Sequence, residues 1–239
     1  MYDYLQRGAV AGAIGGGAYG LYVALVGNPM VAHAEELAHG EHAHSHVPEA
    51  ESVVSEGVTH VVSIGGSVAL GLLFGLVVFG LAGYLFEPAL PDRGGSYLLG
   101  LGGFLTVSGV PWLVLPPSAP GVETAMSTTT ALYLYVGLMA VGAVDCLGAG
   151  AAYHRLKTHG RPAAVAGGLA VFAVFVGSAV LLAPSPATES AVPATFEAAY
   201  VGSVIIGQLG LWGIIAAAHS RLGSAPTPDA PSVAPTAAD

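Results

Sequence analysis

Four histidines and a glutamate fall within eight residues, HGEHAHSH, at positions 39–46. Around them lie His33, His60, Glu35, Glu36, Glu49, Glu51 and Glu56, and no lysine or arginine occurs between 31 and 60. Imidazole binds divalent cobalt, nickel, copper and zinc, and carboxylates add charge and further ligands. If the segment is helical, His39, His42 and His46 share a face. If it is extended, His42, His44 and His46 alternate onto one side. The candidate metal ligands are His33, His39, Glu41, His42, His44, His46 and His60. Binding needs deprotonated imidazole, so capture weakens below about pH 6. The bland alternative is a solvated polar loop, or one that senses pH.

A second set of groups lies in apolar surroundings. Asp145 is the one acid well inside an apolar stretch, where a carboxylate costs up to about 2.5–3.5 kcal/mol and is expected to face other helices. Cys146 follows it and shares a helical face with Met139, Gly142 and Gly150. Gln208 lies in the middle of the last apolar stretch and Asn28 at the end of the first. These four are the candidates for an ion pathway, with helix packing as the alternative for each. Glu123 and Glu197 sit near outer helix ends, where each could receive an ion and capping or an interface role is the simpler reading. Glu87, His154, His159 and His219 fall at the other side and read as interfacial. There is no P-loop, GxSxG or HExxH, and no nucleophile–base pair accompanies Asp145, so neither an enzyme nor an organic cofactor is expected. A single cysteine excludes an internal disulfide and any CxxC motif.

The elements that must hold these groups follow from composition. The chain has 239 residues, 54% hydrophobic and 9% charged, against roughly 25% charged in a soluble domain. That implies a membrane protein. Crossing a hydrocarbon core of ~30 Å takes about 20 apolar residues, and six stretches qualify, at about 8–28, 61–86, 97–115, 128–152, 163–183 and 196–218. Prolines mark the breaks, with Asn28-Pro29 closing the first. The expectation is an all-α bundle of six transmembrane helices over 1–221, with a His-rich outer loop at 31–60 and a disordered tail at 222–239. Arg7, Arg93, Arg155, Lys157, Arg161 and Arg221 all fall on one side of such a bundle, so both termini are expected in the cytoplasm and the location is the plasma membrane. The net charge of −9 argues against a nucleic-acid partner.

Glycines at 8, 12, 16 and 20 form one helical face suited to close packing in lipid, within the chain or between copies in a homo-oligomer. Residues 1–34 also carry signal-peptide features, ending in Ala32-His33-Ala34, but the apolar run is longer than such segments have. Gly71 with Gly75 repeats the small-residue spacing. LPPSAPGVETAMSTTTALYLYVG (115–137) is similar to LAPSPATESAVPATFEAAYVG (182–202), which points either to a duplicated helix pair or to the shared chemistry of two short loops.

LVGNPMVAHAEELAHGEHAHSH, LFEPALPD and VPWLVLPPSAPGVETA, taken in order, resemble the CbtA family of predicted cobalt transporter subunits. The resemblance spans most of residues 1–220, and the acidic, lysine-poor composition is most similar to haloarchaeal members. It implies uptake of Co2+ and a small one-helix, histidine-bearing CbtB-like partner; the His/Glu ligands themselves do not encode the metal, and Ni2+ or Zn2+ in place of Co2+ stay open. A non-transporting metal sensor or accessory metal-binding protein is the alternative.

Overall fold

In the computed structural model, helix continues through places where the sequence rules would stop it. The structure describes residues 1–40, 56–86, 89–91, 94–183, 188–190 and 192–223. The first helical rod is α1 (Tyr2–Tyr22), a π-helical turn over Val23–Gly27, and α2 (Asn28–Gly40). The second is α3 (Glu56–Phe74), a π-helical segment over Gly75–Ala82, and α4 (Gly83–Phe86). The third is α5 (Gly95–Phe104), a π turn over Leu105–Gly109, and α6 (Val110–Trp112). The fourth, fifth and sixth rods are single helices, α7 (Thr128–Leu156), α8 (Arg161–Leu182) and α9 (Ala194–Gly223).

Pro29 therefore does not end the first helix. A proline inside an α-helix lacks one hydrogen bond, and its ring strikes the carbonyl four residues back. The wider π turn stands directly in front of Pro29, where it opens the ladder that the ring would strike. Pro111 has the same arrangement: each π turn ends on a glycine, and the proline follows two residues later. The helix carries His33 and His39 with it, so residues 31–40 are helical rather than loop.

The rods run in alternate directions. Gly20 packs on Ile64 while Gly8 packs on Gly75 and Gly80, which sets α1 antiparallel to the second rod. A Cβ built on Gly8, Gly12 or Gly16 would overlap backbone atoms of Gly75, Gly71 or Ser67. The glycine face read from the sequence is thus used inside the chain. The other side of α1 packs on α9, where Ala11, Phe79, Leu211, Trp212, Ile215 and Ala216 form the buried core. Trp212 stacks on Phe74 at 4.9 Å. From α9 the packing passes to α5, then from the third rod to α7, and from α7 to α8. The remaining surface is apolar, with Leu169, Val174, Leu181 and Leu182 of α8 among its exposed side chains.

Among the described residues five helices are long and apolar enough to cross a membrane, spanning Tyr2–Leu37, Gly57–Phe86, Thr128–His159, Arg161–Leu182 and Ala194–Gly223. Those residues are helical throughout their regular structure apart from one small pair of strands. β1 (Val122–Thr124) and β2 (Thr188–Ser190) pair antiparallel, with Val122 opposite Ser190, Glu123 opposite Glu189 and Thr124 opposite Thr188. Each strand comes from one of the two similar segments. Aligning PGVETAM with PATESAV makes Glu123 and Glu189 equivalent, so the register is that of a local two-fold axis through this pair.

Candidate functional site

The four pathway candidates fall into three seams. Asn28, at the start of α2, belongs to the seam between the first and second rods, and Gln208 to the seam between α1 and α9. Asn28 Nδ2 donates to Ser63 Oγ at 3.2 Å, and Ser63 Oγ is 3.3 Å from Asn28 Oδ1, so the amide bridges the first and second rods. Gln208 Nε2 donates to Tyr19 OH at 3.4 Å, and its Oε1 is buried without a partner. Nearby, Tyr22 OH donates to Ser203 O at 2.8 Å. These contacts join helices, which accounts for polar residues at such positions.

Cys146 lies in the third seam, between α7 and the third rod, with Asp145 just before it on α7. Asp145 is 1% exposed, and neither carboxylate oxygen has a hydrogen-bond partner among the described residues. Cys146 Sγ lies 3.9 Å from Thr106 Oγ1 and 3.9 Å from Gly102 O. Gly142, one turn before Asp145, abuts the third rod so closely that a Cβ there would stand 3.1 Å from Thr106 Cα. Thr106 belongs to the π turn Leu105–Gly109. A π turn interrupts the regular ladder of backbone bonds and is frequent at functional sites. One of its carbonyls, Val107 O, accepts from Tyr135 OH at 2.7 Å. A buried carboxylate with no donor costs free energy unless a cation or a proton accompanies it. The seam thus joins a hard oxygen ligand, a soft sulfur and a hydroxyl.

At the loop end, His33 sits on α2 with its Nδ1 3.4 Å from Glu36 Oε2 and its ring 5.6 Å from that of Phe196. His39 is in the last helical turn of α2, and His60 is near the start of α3. Glu41, His42, His44 and His46 lie outside the described residues, as does most of the tail expected at 222–239. Among the described residues no three His, Cys, Asp or Glu side chains are grouped closely enough to hold a metal ion. His33 and His60 are thus not part of a finished site by themselves.

Three features escaped the sequence reading. His219 is buried within the bundle: it is 7% exposed, with Nδ1 3.0 Å from Ser96 Oγ and its ring 5.3 Å from Phe79. His154 Nε2 lies 3.0 Å from Ala89 O, joining α7 to the connection between the second and third rods. A cavity of about 670 Å3 opens between the loop ends of the third to sixth rods, with Glu197 in its wall. Only the distance between these segments along the chain hid them; each bears a residue able to bond.

No curated protein and no solved structure matches the chain. One family model does, over residues 1–223, and its description is "Probable cobalt transporter subunit". With five helices fit to cross a bilayer, this is a multi-pass membrane protein. A match over nearly the whole chain means that it belongs to the CbtA family of probable cobalt transporter subunits.

Proposed function

We propose that this chain is the ion-conducting subunit of a Co2+ uptake system of the plasma membrane, not an enzyme. The observation that carries the reading is Asp145, buried and without a hydrogen-bond partner among the described residues, next in sequence to Cys146, whose thiol faces Thr106 of the π turn. A structural carboxylate would have donors. This one is placed to accept a partner that comes and goes.

The third rod supplies a sixth crossing. Its helix runs unbroken from Gly95 to Trp112, about 27 Å at 1.5 Å per residue, close to the ~30 Å of a hydrocarbon core. Both termini are cytoplasmic, because the six basic residues then all face inward. The His/Glu segment from His33 to His60 faces outward and raises the local concentration of the ion. Asp145 and Cys146 are the station within the membrane, while Asn28 and Gln208 hold the neighbouring seams. An inside-negative potential supplies about 2.3 kcal/mol per charge per 100 mV, hence ~4.6 kcal/mol for a divalent ion. That sustains a concentration ratio of more than about a thousandfold, so no nucleotide is required of this subunit. A one-helix, histidine-bearing partner subunit and Ni2+ or Zn2+ as further substrates follow from the family and the ligand chemistry.

The test is uptake of radiolabelled Co2+ into proteoliposomes under an imposed inside-negative potential, with and without a partner subunit. Asp145→Asn is expected to reduce the maximal rate by about tenfold or more, the order of one lost ion–carboxylate contact. His39/His42/His44/His46→Ala is expected to raise the half-saturating concentration and leave the maximal rate intact. If the wild-type protein admits no Co2+ in either form, the transport reading fails.

A further inference from the structure

The cavity at the loop end is walled by four rods. Leu115 and Pro116 follow the third rod, Thr128 and Tyr135 belong to α7, Val180 to α8, and Glu197 and Val201 to α9. Its volume is about 670 Å3, where a divalent ion with six waters needs roughly 200 Å3 at ~30 Å3 per water. Among the described residues Glu197 is its one charged lining group, and no lysine, arginine or histidine contributes to the wall. Such a cavity repels anions and concentrates cations.

One lining residue shares a helix face with the buried carboxylate. Tyr135 lines the cavity and donates to Val107 O in the π turn of the third rod. Along α7, Tyr135, Leu138, Gly142 and Asp145 recur at intervals of three and four residues, and so share one face. Tyr135 and Asp145 are about 15 Å apart along the axis. Between them the way is closed by buried Leu138 and by Val110, whose Cβ lies 3.3 Å from where a Cβ on Gly142 would stand.

We propose that this cavity is the inlet. A hydrated divalent cation is received there by Glu197 and moves inward along the seam between α7 and the π turn toward Asp145. The inference rests on the transport reading above and adds what that reading lacks: a mouth, a receiving charge and a closed section between Leu138 and Val110. Recognition at the mouth is outer-sphere, through water, because one carboxylate in so large a space cannot strip a hydration shell. Selection among metals then falls to the drier seam below.

Two measurements separate this proposal from the reading it rests on. In uptake assays, Glu197→Gln is expected to raise the half-saturating Co2+ concentration by about fivefold or more without lowering the maximal rate. A divalent ion ~5 Å from a carboxylate in water gains roughly tenfold in occupancy, less with screening. Glu197→Asp should recover most of the loss. The second measurement needs no transport. Ala131 lines the cavity, so Ala131→Cys in a Cys146→Ser background gives a thiol there that a water-soluble methanethiosulfonate can label. Hexaamminecobalt(III), an exchange-inert stand-in for a hydrated ion, is expected to slow that labelling when Glu197 is present and not after Glu197→Gln. Failure of Ala131→Cys to label, or protection that ignores Glu197, overturns the inlet. Protection that depends on Glu197 in a protein that takes up no Co2+ sustains the cation site and refutes only the transport reading.

Discussion

The seam between α1 and α3 and the seam between α7 and the third rod are built from opposite materials. In the first, Gly8, Gly12 and Gly16 meet Gly75, Gly71 and Ser67 backbone to backbone, so nothing can pass and little can move. In the second, one glycine, Gly142, faces Thr106, and around it stand a carboxylate without donors, a thiol and a π turn. Small residues give close contact in both. Only the second adds groups whose burial is unfavourable without a guest. Within one bundle, the tight seam is scaffold and the polar seam is the one in which we propose that an ion lodges.

The largest expected effect breaks the scaffold. Gly71→Leu forces a side chain into the backbone of Gly12 and Gly16; overpacking costs about 1–3 kcal/mol where atoms can shift, and more where they are backbone. The variant should lose its monodisperse peak in size-exclusion chromatography in detergent. Gly137→Leu, at a glycine with open space around it, should keep it; equal behaviour of the two would erase the distinction between seams. A smaller effect of opposite sign is expected at the polar seam. Asp145→Val replaces an unpartnered buried carboxylate with an apolar side chain, which should raise the thermal midpoint by a stabilisation on the order of 1 kcal/mol while abolishing uptake. A lower midpoint would mean that Asp145 is structural. The smallest effect is none at all. In a Cys146→Ser background, a disulfide between Val122→Cys and Ser190→Cys, which face each other across the strand pair, should leave the uptake rate of that background unchanged on oxidation. A fall in rate would show that the loop ends must separate during transport.

Much of the scaffold could be read from residue spacing. Glycines at 8, 12, 16 and 20 predict a close helix contact because a missing Cβ has one meaning in a long apolar helix, and the contact is there. Asp145 stood out because an acid in such a stretch has few tolerable positions. Pro29 misled, since the rule that proline ends a helix assumes a regular ladder in front of it. The spacing that relaxes the rule, glycine then one residue then proline, is visible at Gly27–Pro29 and Gly109–Pro111 only once the π turns are known. Gly150 shares the face of Gly142 and Cys146 in sequence yet has open space around it, because the third rod no longer packs there. Pattern left Glu197 open to two readings: an acid in the first turn of a helix is ordinary dipole compensation, and the cavity that bears on its other reading, receiving an ion, is assembled from four separate rods. The strand register also directs attention to the sequence PEAES at 48–52, outside the described residues, which repeats the proline–x–x–glutamate–serine/threonine order of PGVET and PATES. Each of the three loop-end connections carries that order, as tandem helical hairpins would.

Tying β1 to β2 works like the closed end of a pair of tweezers. The strands hold together the tops of two hairpins, the third rod with α7 and α8 with α9. Any change of shape between those hairpins then pivots near Glu123 and Glu189, and displacement grows with distance from the pivot. The greatest travel falls at the far end, where Ser96 of the third rod meets His219 of α9. On the transport reading proposed above, a molecule clipped in this way would keep a standing mouth at the strand end and open and close at the other.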